Sequence, residues 1–325
     1  MLPSSVFSIQ SLEDFKSCAL KTFLHQAEHC SVYRSYIQHI GVDTKDVKHI
    51  DEIPFLPISF FKSESIICNN QKPEITFASS GTTGSQKSRH YVADASLYEA
   101  SFLHGFERFY GSPKDYHIIA LLPNYLEQGE SSLVYMVDGL IKESGSTESG
   151  FYLNQLDELS KKLKHLDNSE RKILLIGVSY ALLDLIENQT FSLKNTTILE
   201  TGGMKGRRKE LLKPQLHAIL RKGFGVEHIH SEYGMTELLS QAYSKKQQRF
   251  ATPPWMKVLL REPNDPFSYV PRGQTGGLNV IDLANYHSCS FIATQDLGKM
   301  HNDDSFEILG RFDHSDLRGC NLLVH

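Results

Sequence analysis

Apolar residues in this chain alternate between helical spacing and short continuous runs. From Leu12 to Phe23 they recur every three or four positions, directly after Ser11. This spacing predicts a capped helix within a helical part of about residues 1–65. From about residue 66 to 248, runs typical of buried strands alternate with amphipathic helices. The predicted strands lie at 74–78, 89–92, 117–122, 172–176 and 197–199, and the predicted helices at 95–110, at 132–141, from 181 and at 208–221.

This order of elements predicts an α/β fold in which a mostly parallel sheet is covered by helices. From about residue 249 to 325 the helical spacing fades, and Gly, Pro and short strand-like runs take over. We therefore expect a β-rich part there. All three parts are expected to belong to one domain that covers residues 1–325.

The composition excludes several classes of protein. With 325 residues, of which 40% are hydrophobic and 22% charged, the chain has the composition of a globular protein with a large core. Its formal net charge of -4 predicts no nucleic-acid partner. The longest apolar stretches, at 118–123 and 173–178, are far shorter than the roughly 18 residues of a membrane span, so no membrane insertion is expected.

The cysteines indicate the compartment. An odd, dispersed set without a C-x-x-C pair argues against a disulfide framework and against a zinc site. The first residues also lack a cationic segment followed by an apolar one, as a secretory signal would need. We therefore expect a cytoplasmic protein with free thiols. The cysteines are Cys18, Cys30, Cys68, Cys289 and Cys320.

The densest chemical signal is the loop between the two strands predicted at 74–78 and 89–92. Residues 79–88 read Ser-Ser-Gly-Thr-Thr-Gly-Ser-Gln-Lys-Ser, which brings hydroxyl groups, two glycines and one lysine together. Such a loop suits an anion with several oxygen atoms. A P-loop is not favoured, because Gln86 stands where its pattern needs glycine and a strand follows where it needs a helix.

Five motifs resemble those of the adenylate-forming superfamily, which includes acyl-CoA synthetases and the adenylation domains of peptide synthetases. They occur in the family's order across about residues 75–315, and an ordered set is far more specific than a single motif. The motifs are Ser80-Gly-Thr-Thr-Gly84 followed by Lys87, Glu200-Thr-Gly-Gly203, Tyr233-Gly-Met-Thr-Glu237, Thr294-Gln-Asp-Leu297 and Gly310-Arg-Phe-Asp313.

The resemblance implies the large domain of an adenylate-forming enzyme, with a site for ATP and Mg²⁺. Lys87, Thr236 and Glu237 are the implied catalytic residues. Glu237 is also the implied magnesium ligand, because a carboxylate beside phosphates needs a cation between them. Gln295 departs from the family, which usually has glycine there. The residues implied to contact ATP are Ser79, Ser80, Gly81, Thr82, Thr83, Gly84, Lys87, Gly202, Gly203, Tyr233, Gly234, Met235, Thr236, Asp296 and Arg311.

Within the superfamily, the chain resembles the LuxE-type acyl-protein synthetases. Typical members of the superfamily continue past the hinge, here Asp313, into a mobile C-terminal domain with a catalytic lysine, whereas this chain stops at His325. The large domain alone is therefore expected. The short layout, the segment Ser-Ser-Leu-Val-Tyr-Met at 131–136 and the segment Leu-Arg-Gly-Cys at 317–320 all fit the LuxE type.

This resemblance implies that Cys320 is the acyl acceptor. A thiolate is a strong nucleophile, and the neighbouring Arg318 would lower the pKa of the thiol. Cys289 is the second candidate for the same role.

The implied reaction is ATP-dependent activation of a carboxylic acid, of the fatty acid type, followed by transfer of the acyl group to a thiol. The ionised acid attacks the α-phosphorus of ATP without a general base, and a thiolate then attacks the acyl-adenylate. Ser179 and Tyr180 are expected to line the acyl pocket. Besides the acid, the possible partners are an acyl-acceptor protein, a carrier protein, a reductase and coenzyme A.

Two other functions remain open. The segment Gly-Val-Ser-Tyr-Ala at 177–181 follows a predicted strand and precedes a helix, as the nucleophile of a serine hydrolase does, although Ala181 replaces the final glycine of that motif. Alternatively, the chain is a subunit that binds nucleotide or acyl group without activity of its own. His228 and His230 are expected to be ordinary strand residues rather than metal ligands.

Overall fold

The N-terminal part is mainly helical, and a capping box begins its first long helix. The computed structural model describes residues 3–79, 86–122, 129–187, 189–202 and 211–312. Helix α1 (Leu12–His29) begins after Ser11, whose hydroxyl accepts a hydrogen bond from the Asp14 amide while the Asp14 carboxylate accepts one from the Ser11 amide. This reciprocal cap is the one that the sequence predicts. Helix α2 (Ser31–His39), strand β1 (Leu56–Pro57) and helix α3 (Phe60–Ser63) follow.

Strands β2 (Ile75–Ala78) and β3 (Arg89–Val92) form the predicted hairpin on either side of the Ser/Gly/Thr loop. They are antiparallel, with Ile75 opposite Val92 and Ala78 opposite Arg89. Residues 80–85 of the loop lie outside the described residues.

The apolar runs in the middle of the chain form one sheet. Within the described residues its strand order is β5-β4-β6-β7-β8-β9, and neighbouring strands are parallel except β9, which is antiparallel to β8. Strands β4 and β6 are buried along almost their whole length, as parallel strands between covering helices are. The strands are β4 (Tyr116–Leu121), β5 (Gly150–Phe151), β6 (Lys172–Val178), β7 (Thr196–Thr201), β8 (His230–Tyr233) and β9 (Ala242–Ser244).

Among the described residues, five helices accompany this sheet, and one of them begins later than predicted. The helix expected at 208–221 begins at Lys213, because Pro214 has no amide hydrogen to donate and so belongs in a first turn. The helix expected from residue 181 begins at Ser179. The helices are α4 (Ala95–Tyr110), α5 (Ser132–Ser144), α6 (Leu156–Leu166), α7 (Ser179–Glu187) and α8 (Lys213–Phe224).

The β-rich C-terminal part forms a second sheet, which is antiparallel apart from one short strand. Strand β1 of the N-terminal part pairs with β12 in parallel, so the two ends of the chain share this sheet. The other strands are β10 (Met256–Arg261), β11 (Thr275–Asp282), β12 (Phe291–Met300) and β13 (Phe306–Arg311). None of the helices in the described ranges has both the length and the apolar character of a membrane span.

An aromatic cluster joins the N-terminal helices to the second sheet. Phe291 at the start of β12 is completely buried, and its ring centroid lies 6.2 Å from Phe23, 6.1 Å from Tyr33 and 6.2 Å from Phe55. These residues come from distant parts of the sequence, so their contacts hold the N-terminal part on the sheet.

We expect Phe291→Ala to lower the free energy of unfolding by about 3–5 kcal/mol, because it removes a buried ring and leaves a cavity. Phe267→Ala is the matched control, since Phe267 is 61% exposed, and it should change stability by less than about 0.5 kcal/mol. Urea unfolding of the two variants measures both values. Equal losses of stability in Phe291→Ala and Phe267→Ala would show that the aromatic cluster does not hold the N-terminal part on the sheet.

Candidate active site

A cavity of about 490 Å³ lies where β7 and β8 end and α5 begins. Ligands of parallel sheets commonly bind at the carboxyl ends of the strands, and a helix N-terminus attracts negative charge. The cavity wall includes Ser132 and Met136 of α5 and Thr201 at the end of β7. Six residues of the predicted ATP site also line it, namely Ser79, Lys87, Gly202, Gly234, Met235 and Thr236.

The remaining predicted residues fall into two groups. Six are described but do not line this cavity, namely Ser179, Tyr180, Tyr233, Glu237, Asp296 and Arg311. The others lie outside the described residues, and they are Ser80, Gly81, Thr82, Thr83, Gly84, Gly203, Asp313 and Cys320.

The base of the Ser/Gly/Thr loop is closed by a pair of serines. The Ser79 amide donates to the Ser88 carbonyl at 3.0 Å, and the Ser88 amide donates to the Ser79 hydroxyl at 3.0 Å. The Ala78 amide donates to the Glu130 carbonyl at 2.8 Å, which ties the hairpin to the residues that precede α5. Lys87 is exposed beside the cavity, where its ammonium group is available to an anion.

The Thr236–Glu237 segment is held in place through its main chain. His90 is fully buried, and its Nδ1 lies 2.8 Å from the Thr236 carbonyl. Burial lowers the pKa of His90 to about 4, so the ring is neutral and Nδ1–H is the donor. The Asn285 side chain donates to the Glu237 carbonyl at 2.8 Å. These bonds fix the direction in which the motif leaves β8.

Glu237 is a buried carboxylate beside this segment. It is 6% exposed, and burial raises the pKa of its carboxyl group, although a hydrogen bond from Ser88 opposes this shift. Among the described residues no group of three or more His, Cys, Asp or Glu side chains is arranged to hold a metal. Magnesium in nucleotide sites is commonly held by one or two carboxylates and the phosphates themselves, so a single buried carboxylate fits such an ion.

Tyr233, Asp296 and Arg311 form one cluster. The Tyr233 hydroxyl donates to Asp296 Oδ2 at 2.8 Å, and Arg311 Nε lies 3.1 Å from Asp296 Oδ1. The Tyr233 ring packs edge-on against Phe306 at 5.8 Å. The structure thus brings together three residues that the motifs assign to the base and ribose of ATP, although they are far apart in sequence.

Ser179 has a structural position that the sequence does not predict. Its side chain is 1% exposed, and its hydroxyl oxygen lies 3.0 Å from Glu200 Oε2 and 2.9 Å from the Gly202 carbonyl oxygen, two acceptors for its one proton. Neither Ser179 nor Tyr180 lines the cavity that the described residues form. A serine hydrolase needs an exposed nucleophile beside a histidine base, and this buried serine is bound to a carboxylate instead.

Glu200 is the centre of the network to which Ser179 belongs. The carboxylate is completely buried, forms an ion pair with Lys213, and accepts a hydrogen bond from the Ser231 hydroxyl at 2.8 Å. His217 Nε2 lies 3.4 Å from the same carboxylate. Burial alone would raise the pKa of Glu200, but these partners lower it to about 2, so the group is ionised.

Glu232 is a cavity residue that the sequence analysis missed. It is 8% exposed and accepts a hydrogen bond of 2.5 Å from the Thr201 hydroxyl. Burial raises the pKa of its carboxyl group to about 7, and the nearby charge of Glu200 adds to this effect. The signal that could have identified Glu232 is an acidic residue within a predicted buried strand. It was not used, because the neighbouring Tyr233 motif already explained this segment.

The described cysteines are buried or half-buried. Cys289, the second candidate for acyl acceptor, is completely buried, and burial raises the pKa of its thiol well above the usual value, which disfavours the thiolate. Cys30 and Cys68 are also fully buried. Cys18 is half-buried, and burial raises the pKa of its thiol.

Comparison with known families decides which class of protein carries this site. The family described as acyl-protein synthetase, LuxE, matches residues 7–325. The chain belongs to the LuxE acyl-protein synthetase family. The adenylate-forming α/β fold and the ligase class that the motifs predict are thereby confirmed.

Two LuxE relatives carry the same name, long-chain-fatty-acid–luciferin-component ligase. The Vibrio harveyi protein is 22% identical over 314 residues, which cover 89% of this chain and 82% of that protein. The Photorhabdus luminescens protein is 40% identical over 70 residues, which cover 21% of this chain and 60% of that protein.

Solved structures similar to this LuxE chain show the fold. An open conformation of 2-hydroxyisobutyryl-CoA ligase, in complex with its acyl-adenylate and CoA, has a TM-score of 0.71 at 12% identity over 93% of this chain and 70% of that one. ATP-bound MatB from Rhodopseudomonas palustris has a TM-score of 0.55 at 15% identity over 75% of this chain. The match spans 49% of MatB, about half of its length.

The raised pKa of Glu232 has a consequence for stability. Because the pKa is about 7 in the folded protein and 4.5 for an ordinary glutamate, the folded state binds more protons between these pH values. Stability therefore falls as the pH rises from 4.5 through 7, by up to about 3 kcal/mol from this group. We expect Glu232→Gln to lose less stability than the wild type between pH 5 and 8.5 in urea unfolding. Glu227→Gln is the control, because its side chain is 86% exposed, and it should lose as much stability as the wild type over this pH range. An equal loss in Glu232→Gln and Glu227→Gln would contradict the raised pKa of Glu232.

Proposed function

We propose that this LuxE protein uses Mg-ATP to activate a carboxylic acid of the fatty acid class in the cavity between β7, β8 and α5, and then transfers the acyl group to Cys320. The observation that carries the proposal is the convergence of the ATP-binding motifs on one cavity at the ends of parallel strands. Ser79 and Lys87 reach it from the hairpin, and Gly202 and Thr236 reach it from the sheet.

In the first half-reaction, a carboxylate oxygen of the acid attacks the α-phosphorus of ATP. The bond between the α-phosphorus and the bridging oxygen breaks, pyrophosphate leaves, and an acyl-adenylate remains. The acid is ionised at neutral pH, so the reaction needs no general base. The two anions must instead be aligned and their charge neutralised. Lys87 neutralises phosphate charge, and Thr236 binds the α-phosphate.

Glu237 is the residue that would hold the magnesium ion. The ion supplies positive charge next to the phosphates of ATP. Without a cation, a buried carboxylate would repel those phosphates, and the raised pKa of Glu237 reflects how poorly its charge is compensated by the protein alone. The contacts of His90 and Asn285 with the main chain hold Glu237 next to Thr236, which lines the cavity.

Tyr233 and Asp296 would bind the nucleoside half of ATP. The ring of Tyr233 stacks on adenine, and Asp296 accepts hydrogen bonds from the ribose hydroxyl groups. Arg311 already pairs with Asp296, with its Nε 3.1 Å from Oδ1. Their cluster lies at the end of β8, next to the motif that turns toward the phosphates.

In the second half-reaction, a thiolate attacks the carbonyl carbon of the acyl-adenylate. The bond to AMP breaks, AMP leaves with the electron pair, and a thioester forms. Cys320 is the preferred thiol because the described cysteines are buried or half-buried, and because Arg318 stands two positions before it. The acyl group then passes to an acceptor, which can be a carrier protein, a reductase or coenzyme A, in the cytoplasm.

Intact-protein mass spectrometry tests the acyl-enzyme. After incubation with Mg-ATP and fatty acids of several lengths, we expect an acyl adduct on the wild type that is lost in hydroxylamine and absent from Cys320→Ser. Cys18→Ser is the matched control and should form the adduct. Pyrophosphate release without any adduct would point to a free thiol as the acceptor. Nucleotide binding without pyrophosphate release would favour the inactive binding subunit.

The adenylation step depends on Glu237. We expect Glu237→Gln to lower the rate of ATP–pyrophosphate exchange about 100-fold, as the loss of one preorganised electrostatic contact does, and to raise the magnesium concentration needed for half-maximal rate. Glu227→Gln is the control, because the Glu227 side chain is 86% exposed, and it should keep the wild-type exchange rate and magnesium dependence. An unchanged magnesium dependence in Glu237→Gln would remove Glu237 from the metal site.

A further inference from the structure

The cavity has a polar wall that binding of ATP does not explain. Glu232 and Gln241 both line it, and they meet beside Gly234. A Cβ on Gly234 would lie 2.3 Å from Glu232 Oε1 and 3.5 Å from Gln241 Cγ. Gly234 therefore leaves room for both side chains, which lie next to each other in the wall.

The Glu232 carboxylate has unused capacity to accept hydrogen bonds. Two carboxylate oxygens offer about four acceptor positions. Among the described residues, the Thr201 hydroxyl is the one donor to this group. Among the described residues no Lys, Arg or His forms an ion pair with Glu232. Lys213, a nearby cation, pairs with Glu200 instead.

An unsubstituted hydrocarbon chain would be a poor occupant of this wall. Burying it against Glu232 would strip the carboxylate of water and return no hydrogen bond, and an unpaired buried polar group is costly. Other parts of the wall are different, because Tyr98, Leu133 and Met136 supply apolar surface. The cavity thus combines apolar surface for carbon atoms with one group of acceptors.

We propose that Glu232 is a specificity-determining residue, and that the acid it selects carries a hydrogen-bond donor, either a hydroxyl or an ammonium group, on its acyl chain. This inference rests on the proposed adenylation reaction and names the substrate class within it. Gln241 contributes a second polar contact next to Glu232. The long side chain of Met136 adapts to the carbon chain that leads to the donor.

The electrostatics of Glu232 agree with this assignment. Burial raises the pKa of Glu232 and the charge of Glu200 adds to this shift, whereas the Thr201 hydroxyl and the charge of Lys213 compensate the carboxylate only in part. A donor on the substrate would supply that compensation at the moment of binding. A site built to pair a polar group discriminates strongly against an analogue that lacks it, because its own polar group is then left unpaired.

The test is ATP–pyrophosphate exchange with the full chain and acids of equal carbon number. The acids are butyrate, hexanoate and octanoate, each with its hydroxy and amino derivatives. We expect the wild type to use the best donor-bearing acid with a kcat/KM at least about tenfold above that of the unsubstituted acid. Glu232→Leu should reverse this preference, and Gln241→Leu should weaken it.

Glu232→Gln separates the two kinds of donor. An amide still accepts a hydrogen bond from a hydroxyl group but no longer forms an ion pair with an ammonium group. The variant should therefore lose the preference for amino-substituted acids and retain the preference for hydroxy acids. Glu227→Gln is the matched control, with its side chain 86% exposed, and should keep the wild-type preference.

Two results would overturn the inference in different ways. Exchange that favours unsubstituted acids, with the same ratio in the wild type and in Glu232→Leu, would show that Glu232 does not select the acid while leaving adenylation intact. No exchange with any acid, in the wild type or the variants, would contradict the proposed adenylation itself, and the inference would fall with it.

Discussion

The completely buried carboxylate of Glu200 is the interaction on which the arrangement of this site depends. It lies near the end of β7 and is bound by groups from three other elements: the Ser179 hydroxyl of α7, Lys213 of α8 and the Ser231 hydroxyl of β8. Removing one partner from a buried charge leaves it uncompensated, which costs several kcal/mol. The network therefore fixes the positions of these elements around Gly202, which lines the cavity.

Glu200 and Glu232 show how one sheet edge gives two neighbouring carboxylates opposite properties. Both are buried, so desolvation raises the pKa of each. Lys213 and His217 bring the pKa of Glu200 down to about 2, whereas Thr201 offers Glu232 a single neutral hydroxyl and the pKa of Glu232 is about 7. The first charge is neutralised by the protein and has a structural role. The second charge faces the cavity, where a bound molecule can compensate it.

Much of the fold follows from the sequence because the signals are local. The Ser11 cap, the strands of the hairpin and the buried parallel strands need only nearby residues to be recognised. The motif residues Tyr233, Asp296 and Arg311 were also predicted to act together, and they are in contact.

The sequence cannot show which residues the folded chain brings to one side of a strand. Ser179 follows a strand and precedes a helix, as a nucleophile or a pocket residue would, but its hydroxyl is used by Glu200 and Gly202. Glu232 is missed for the opposite reason, because a parallel strand is covered on both faces and its side chains carry no alternation that marks the cavity side. These assignments depend on partners at distant positions.

The two halves of the site are held by different kinds of contact, and this difference explains how one fold can serve several acids. On the nucleotide side, His90 and Asn285 bind main-chain carbonyls of Thr236 and Glu237, and Asp282 accepts hydrogen bonds from the amides of 239 and 240 at 2.7 and 2.9 Å. Such bonds do not depend on the side chains of the segment they hold. On the side where we propose that the acid binds, the wall includes side chains of α5, Glu232 and Gln241. A substitution there changes the shape and polarity offered to the acid while the main chain that carries the ATP motif stays in place.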